Sequence, residues 1–319
     1  MSKVPTLTDE QKKRLRILEP ALRNAARLGD YGTATRITAD IQRLLRPTGH
    51  ETRLMQAKNW LFQAAMLAGK IETAAIGLEG VRKKTNARTR VNLEATALLA
   101  VCRLRQEKIE EAKPLMRDTL ENLDWISSES RRRQFRQRII QLFDEETALA
   151  ALRGHGHERL TPETLQDEAG ALVQQMSEDG LLFELGDAIP EEVVFKILEI
   201  DEYARKLIPE HEVRYLPDPE ALRKRKEIGR TVFSAIKVTL YRSICDPESE
   251  VYKAWYANGI QVVLDKKYIS AAVVAALHGL GIGIKAIAVS AIALVIRFGV
   301  DVYCEKFKPD SAMIALNEK

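Results

Sequence analysis

The chain has 319 residues, 45% of them apolar and 29% charged, a balance that excludes disorder and leaves room for two or three domains with full cores. Its net charge of +4 hides a segregation: residues 1–150 carry 28 Lys and Arg against 19 Asp and Glu (+9), residues 158–218 carry 5 against 16 (−11), and residues 219–319 come out near +5. Cys102, Cys245 and Cys304 are far apart, odd in number and without CxxC spacing, which argues against a disulfide framework and for a reducing compartment; no apolar leader pattern follows Met1, so a cytoplasmic location is expected.

The first predicted helix covers 8–28, where Leu15, Leu18, Ala21, Leu22, Ala25 and Leu28 form one apolar stripe. Gly29 suits the left-handed residue after a helix end, and Asp30 suits the cap of the next helix. That second helix runs through Ala34, Ile37, Ile41 and Leu45 and stops at Pro47. A second hairpin is predicted from Glu51 to Lys84 with its turn at Gly69. A third runs from Ala87 to Leu123, turning at Gln106-Glu107.

The three hairpins share a short run. It reads Gly29-Asp30-Tyr31-Gly32-Thr33-Ala34, then Gly69-Lys70-Ile71-Glu72-Thr73-Ala74, then Glu107-Lys108-Ile109-Glu110-Glu111-Ala112. Each places Tyr31, Ile71 or Ile109 three residues before Ala34, Ala74 or Ala112. The copies lie 40 and 38 residues apart, a period that signals stacked helical hairpins. In this pattern the Ala allows close backbone approach and the Tyr or Ile fills the gap between hairpins. Over residues 15–125 the chain resembles tetratricopeptide-repeat proteins, with Ala26 to Pro47 matching that family's second-helix pattern. The resemblance implies a concave protein-binding surface. The periods exceed the family's usual 34, and the third copy lacks the turn glycine.

Residues 129–143 are predicted as a fourth helix, carrying Arg131, Arg132, Arg133, Arg136 and Arg138 on one side; a short capping helix is expected from Glu145 to Leu152. Gly154-His155-Gly156-His157 reads as a flexible joint that closes a repeat domain at 1–153. An acidic helical connector follows at 158–216, with helix starts at Thr161-Pro162 and Pro190-Glu191 and one candidate strand, Glu212 to Leu216. The C-terminal module, 217–319, opens with a helix from Asp218 or Pro219 to Ile244 and a second from Glu248 to Leu264. Its tail from Ile269 to Tyr303 is apolar, divided by Gly279-Leu280-Gly281-Ile282-Gly283. Neither half reaches the eighteen or so apolar residues of a membrane span, so a buried apolar hairpin is expected, with a membrane-active hairpin as the alternative. The stretch from Ser243-Ile244-Cys245 to Cys304-Glu305 also resembles C-terminal modules of uncharacterised bacterial proteins, some near anti-phage loci.

The sequence offers no catalytic constellation. It lacks GxxxxGK[ST], GxGxxG after a strand, HExxH and GxSxG. His155 and His157 lack converging partners for a metal, and Glu191-Glu192 and Asp201-Glu202 are adjacent residues that diverge on a helix. No catalytic, cofactor or metal residue is therefore assigned. The expected fold is all-α: a helical-hairpin repeat array, an acidic connector, and a C-terminal module with an apolar hairpin. The expected function is a non-enzymatic scaffold or adaptor that binds a protein segment, in a bacterial multi-protein system such as anti-phage defence. The alternatives are a membrane-active effector using the apolar hairpin, and a nucleic-acid-binding accessory protein using the Arg131–Arg138 cluster. The charge asymmetry reads as domains that attract each other, with the acidic stretch docked on basic helices of the same chain, or as a basic face meant for an acidic partner.

Overall fold

The computed structural model describes residues 5–156, 158–216, 218, 220, 224–258 and 267–308. Among them the chain is all-α, with sixteen α-helices, two short 3-10 turns and no strand. The run Glu212 to Leu216, expected as a strand, instead ends a four-residue helix, Glu210–Val213. It follows Pro209, whose carbonyl accepts the Glu212 and Val213 N–H groups. The chain divides into two compact units. One comprises 5–143 with 204–213, the other 144–203 with 214–308.

In the first unit, α1 (Asp9–Leu28) and α2 (Tyr31–Leu45) form one hairpin, α3 (Glu51–Leu67) and α4 (Ile71–Lys84) a second, and α5 (Arg90–Arg105) and α6 (Ile109–Glu121) a third. α3 packs on both α1 and α2, and α5 packs on both α3 and α4. The helix starts follow local chemistry. Thr8 closes a capping box with Gln11, and Asp30 accepts the Thr33 N–H at 2.9 Å, which holds its carboxyl below the usual range. α5 is buried from Val91 to Cys102 on every side, as expected of a helix apolar nearly all round. α7 (Glu129–Leu152) follows as one continuous helix. No separate capping helix begins at Glu145, because Asp144, Glu145 and Glu146 are followed by good helix formers and neither Gly nor Pro intervenes.

The second unit contains the end of α7, then α8 (Pro162–Gln175), α9 (Glu178–Asp187) and α10 (Glu191–Lys206), whose last turn lies in the first unit. α11 is Glu210–Val213, in the first unit. Then come α12 (Arg225–Cys245), α13 (Glu250–Asn258), α14 (Tyr268–Gly279), α15 (Lys285–Phe298) and α16 (Val300–Lys306). The expected first part of the α12 helix at Pro219 and 221–223, and the expected extension of α13 through Leu264, lie outside the described residues. So does His157.

The acidic stretch and the C-terminal module, expected as separate bodies, share one apolar core here. Leu181, Leu185, Val193 and Ile197 pack in the same cluster as Ile228, Ile236, Leu277 and Ile292. The reason is that α8, α9 and α10 are too short to bury their apolar faces on one another. The Gly154–Gly156 segment is pinned rather than free. Gly154 N–H donates to Gly281 C=O at 2.8 Å, and Gly283 N–H donates to His155 C=O at 2.9 Å. The two glycine-rich runs thus lie against each other. A Cβ on Gly156 would fall 2.3 Å from the Gly283 carbonyl oxygen, so no other residue fits there.

No single helix among the described residues is long and apolar enough to cross a membrane. α15 and α16 together reach the length and apolar composition of a span but bend by 95°. α15 is a core helix, buried from Ile287 to Val295.

Candidate functional site

The three hairpin turns of the first unit share one hydrogen-bond pattern. Gly29, Gly69 and Glu107 all adopt the left-handed conformation, with φ of 63°, 76° and 62°. Asp30 N–H donates to Ala25 C=O, Lys70 N–H to Ala65 C=O, and Lys108 N–H to Arg103 C=O, at 2.9, 2.8 and 2.9 Å. This is the six-to-one closure that ends a helix on a left-handed residue. Each turn then starts the next helix alike, because Ala34, Ala74 and Ala112 donate to the carbonyls of Asp30, Lys70 and Lys108. All three alanines are fully buried, and Tyr31, Ile71 and Ile109 are half-buried beside them. The third turn achieves with Glu107 what the first two achieve with glycine.

Long-range polar contacts tie the hairpins together. Arg53 on α3 donates both its Nε and Nη2 to the Glu19 carboxylate on α1, at 2.6 and 2.9 Å. A bidentate pair of this kind fixes orientation as well as distance. Arg105 on α5 donates to the Met66 carbonyl at the end of α3, at 2.6 Å. Asn59 on α3 donates to the Val91 carbonyl at 2.9 Å, and Gln56 donates to Glu94 at 2.8 Å. Glu94 is completely buried, which pushes its carboxyl up; Arg90 at 2.7 Å works against that shift.

An open cleft of about 420 Å³ lies between α4, α5 and α6. Its floor is Leu99 and Leu115, with Pro114 at one side. Arg103 stands in it, held by Glu79 at 2.6 Å and Glu111 at 3.2 Å, while Arg82 reaches Thr96 at 2.8 Å and Asp118 at 3.0 Å. Lys83 also lines it and is exposed. The cleft therefore offers an apolar floor and a rim of positioned charges of both signs. Sequence reading did not single it out, because its residues come from three helices and only their i, i+3 and i, i+4 spacing hints at a shared face.

The arginine cluster of α7 is largely engaged within its own unit. Arg136 pairs with the Glu212 carboxylate at 2.5 Å, and both side chains are about nine-tenths buried. Arg133 lies 3.1 Å from Glu129 and 3.8 Å from Glu212, and Arg132 donates to the Ile126 carbonyl at 3.0 Å. Arg131 and Arg138 also have partners. Burial raises the Glu212 carboxyl, but Arg136 and Arg133 outweigh it and hold it below the usual range.

The same pairing recurs in the second unit. Asp167 meets Lys267, Glu168 meets Lys285 at 2.7 Å, Asp179 meets Lys226 at 3.1 Å, and Glu191 meets Arg225. Several acidic residues of the 158–218 stretch thus meet counter-charges inside the chain.

Two of the three cysteines form a disulfide, Cys245–Cys304, with their Cα atoms 5.5 Å apart. This corrects the expectation drawn from odd number and wide spacing. Fifty-nine positions separate the pair in sequence, and only the packing of α16 against α12 brings them together. Cys102 is outside the disulfide and buried in the first unit. Among the described residues no three His, Cys, Asp or Glu side chains converge as a metal site would need. Compared with protein-family models, with curated proteins and with solved structures, the chain matches none.

Proposed function

We propose that the chain is a non-enzymatic scaffold whose first unit binds a protein segment as tetratricopeptide-like arrays do, and that it serves a cytoplasmic, bacterial multi-protein system such as anti-phage defence. The observation that carries the reading is the common geometry of the turns at Gly29, Gly69 and Glu107. Three hairpins with one closure pattern, each seated on its predecessor, are what builds an extended binding surface from short units. The cleft over Leu99 and Leu115 adds a docking place of suitable chemistry, apolar in the floor and charged at the rim. Tyr31, Ala34, Ile71, Ala74, Ile109 and Ala112 act as packing residues in this reading and do not touch the partner.

Affinity purification of the tagged chain from the cells that make it, followed by mass spectrometry, tests the proposal. A protein retained by the wild type and lost with Lys83→Glu plus Leu115→Asp is the expected result. Identical recovery with both forms would remove the cleft from the reading. Recovery of no protein would remove the scaffold itself.

A second reading, the membrane-active effector, draws on the combined length of α15 and α16. The nucleic-acid reading has less behind it, since Arg132, Arg133 and Arg136 already meet partners within the chain.

A further inference from the structure

The last helix of the second unit is built like a lever. α16 has seven residues and is joined to α15 through Gly299 alone. Gly299 has φ 77° and ψ 149°, a conformation open to glycine and not to residues with a Cβ. One residue therefore makes the whole 95° change of direction.

Beyond this hinge, α16 is held by packing on one face and by one covalent bond: Val300 and Tyr303 are fully buried in the apolar core, and Phe307 lies edge-on to Phe298 with ring centroids 5.2 Å apart. Tyr303 and Phe307 lie against Phe233 of α12, with ring centroids 6.5 and 5.6 Å apart. The Tyr303 hydroxyl donates to the Lys237 carbonyl at 3.2 Å. The covalent tie is the bond from Cys304 of α16 to Cys245, the last residue of α12. The two sulfur-bearing residues are unequally placed. Cys245 is only 5% exposed, whereas Cys304 is half-buried and faces partly outward.

The geometry points to Cys245–Cys304 as a reducible latch, opened by a dithiol reductant, that holds α16 against α12. A thiolate of the reductant attacks Sγ of Cys304, the sulfur–sulfur bond to Cys245 breaks, and Cys245 leaves as a thiolate that takes up a proton. The second thiolate of the reductant then attacks the mixed disulfide, Cys304 leaves and is protonated, and the reductant departs as its cyclic disulfide. The protein gains two electrons and two protons, and the dithiol is oxidised by the same count. With the clip gone, only packing holds α16, which opens about Gly299 more often and transiently uncovers Tyr303, Phe233 and Phe298. The apolar core of α9, α12 and α15 stays closed, because packing rather than the disulfide holds it. The proposal stands apart from the scaffold reading, which concerns the first unit.

The test compares the full chain, purified in air, with the same chain treated with dithiothreitol. Alkylation and mass spectrometry count the thiols, limited proteolysis reports on residues 299–308, and far-UV circular dichroism reports on the core. The expected result is two additional thiols, cleavage in 299–308 about ten-fold faster, and an unchanged helical signal. Cys304→Ser gives the fast cleavage without reductant, and Cys102→Ser does not. Equal cleavage of the two forms overturns the latch. So does loss of the helical signal on reduction, which would make the bond a staple for the whole unit, and so does failure of the bond to form in air.

Discussion

Gly186 on α9 and Gly229 on α12 face each other at a helix crossing with no room for a side chain. A Cβ on Gly186 would lie 1.7 Å from the Arg225 carbonyl oxygen, and one on Gly229 would lie 1.9 Å from that of Leu182. The obstacles are backbone atoms, which cannot rotate away as a side chain does. The two helices would have to separate, and the apolar core they share would open with them. Gly229→Ala is therefore expected to cost at least about 2 kcal/mol, at the upper part of the usual overpacking range. Thermal melting of the variant checks this, and a melting temperature equal to wild type would place the crossing elsewhere.

At Glu107 the left-handed backbone is occupied by a residue that pays for it sterically. Glu107→Gly is expected to stabilise the chain by up to about 1 kcal/mol, the ordinary cost of a Cβ there less the added freedom of glycine when unfolded. Ala74 has the opposite requirement. It is fully buried where α4 leaves the Gly69 turn, so Ala74→Leu is expected to cost roughly 1–3 kcal/mol. Urea titration of both variants settles the pair of signs.

Glu94 gives a pH dependence of unusual direction. Its carboxyl is raised by burial, so the folded chain holds its proton at pH values where the unfolded chain has released it. Stability therefore falls as pH rises from the unfolded value, about 4.3, through the higher folded one. Glu94→Gln removes this titration. Its melting temperature relative to wild type is expected to improve from pH 4 to pH 8, and a constant difference across that range would contradict the assignment.

The Arg136–Glu212 pair has the reverse sign. The folded Glu212 pKa is depressed, so its stabilising contribution is present above the unfolded value and disappears as pH falls through the folded one. Arg136→Ala strands a carboxylate that is about nine-tenths buried, and a clear loss of melting temperature is expected at pH 7. That loss should shrink toward pH 3, because the variant's unpaired carboxylate, raised by burial, takes up a proton as the pH falls. A loss equally large at pH 3 would mean that packing of the Arg136 stem, not its charge, stabilises α7.

Flotation with liposomes separates the scaffold from the membrane effector. Lys285 and Arg297 are twelve positions apart and so about 120° apart around α15. Lys285 is held by Glu168 at 2.7 Å, and Arg297 donates to the Val173 carbonyl at 3.3 Å. Both charges thus have partners that a bilayer would remove, and a charge at mid-membrane costs roughly 2.5–3.5 kcal/mol. The air-oxidised chain is expected to stay with the aqueous fraction. Robust flotation that disappears on deletion of 269–300 would favour the effector.

Local pattern reaches far in this chain. The buried positions Leu15, Leu22 and Ala25 and those from Ala34 to Leu45, the breaks at Gly29 and Gly69, and the cap at Asp30 appear where short-range spacing puts them, whereas Ala21 and Leu28 of the first stripe are exposed. Helix geometry and turn chemistry act over three to six residues, and these are written in order along the chain. Charge segregation likewise anticipates that acidic residues meet basic ones. It does not reveal which, and the choice of Glu212 for Arg136 or Glu168 for Lys285 depends on helices that approach only after packing. The left-handed Glu107 was hidden because propensity favours glycine there, and the hairpin's packing overrode it. Gly186 and Gly229 gave no sign as single glycines inside helical patterns, since their role exists only at a crossing of two helices. Cys245 and Cys304 have no local signature at all; a disulfide needs two Cα atoms within reach, and that distance is a property of the folded chain.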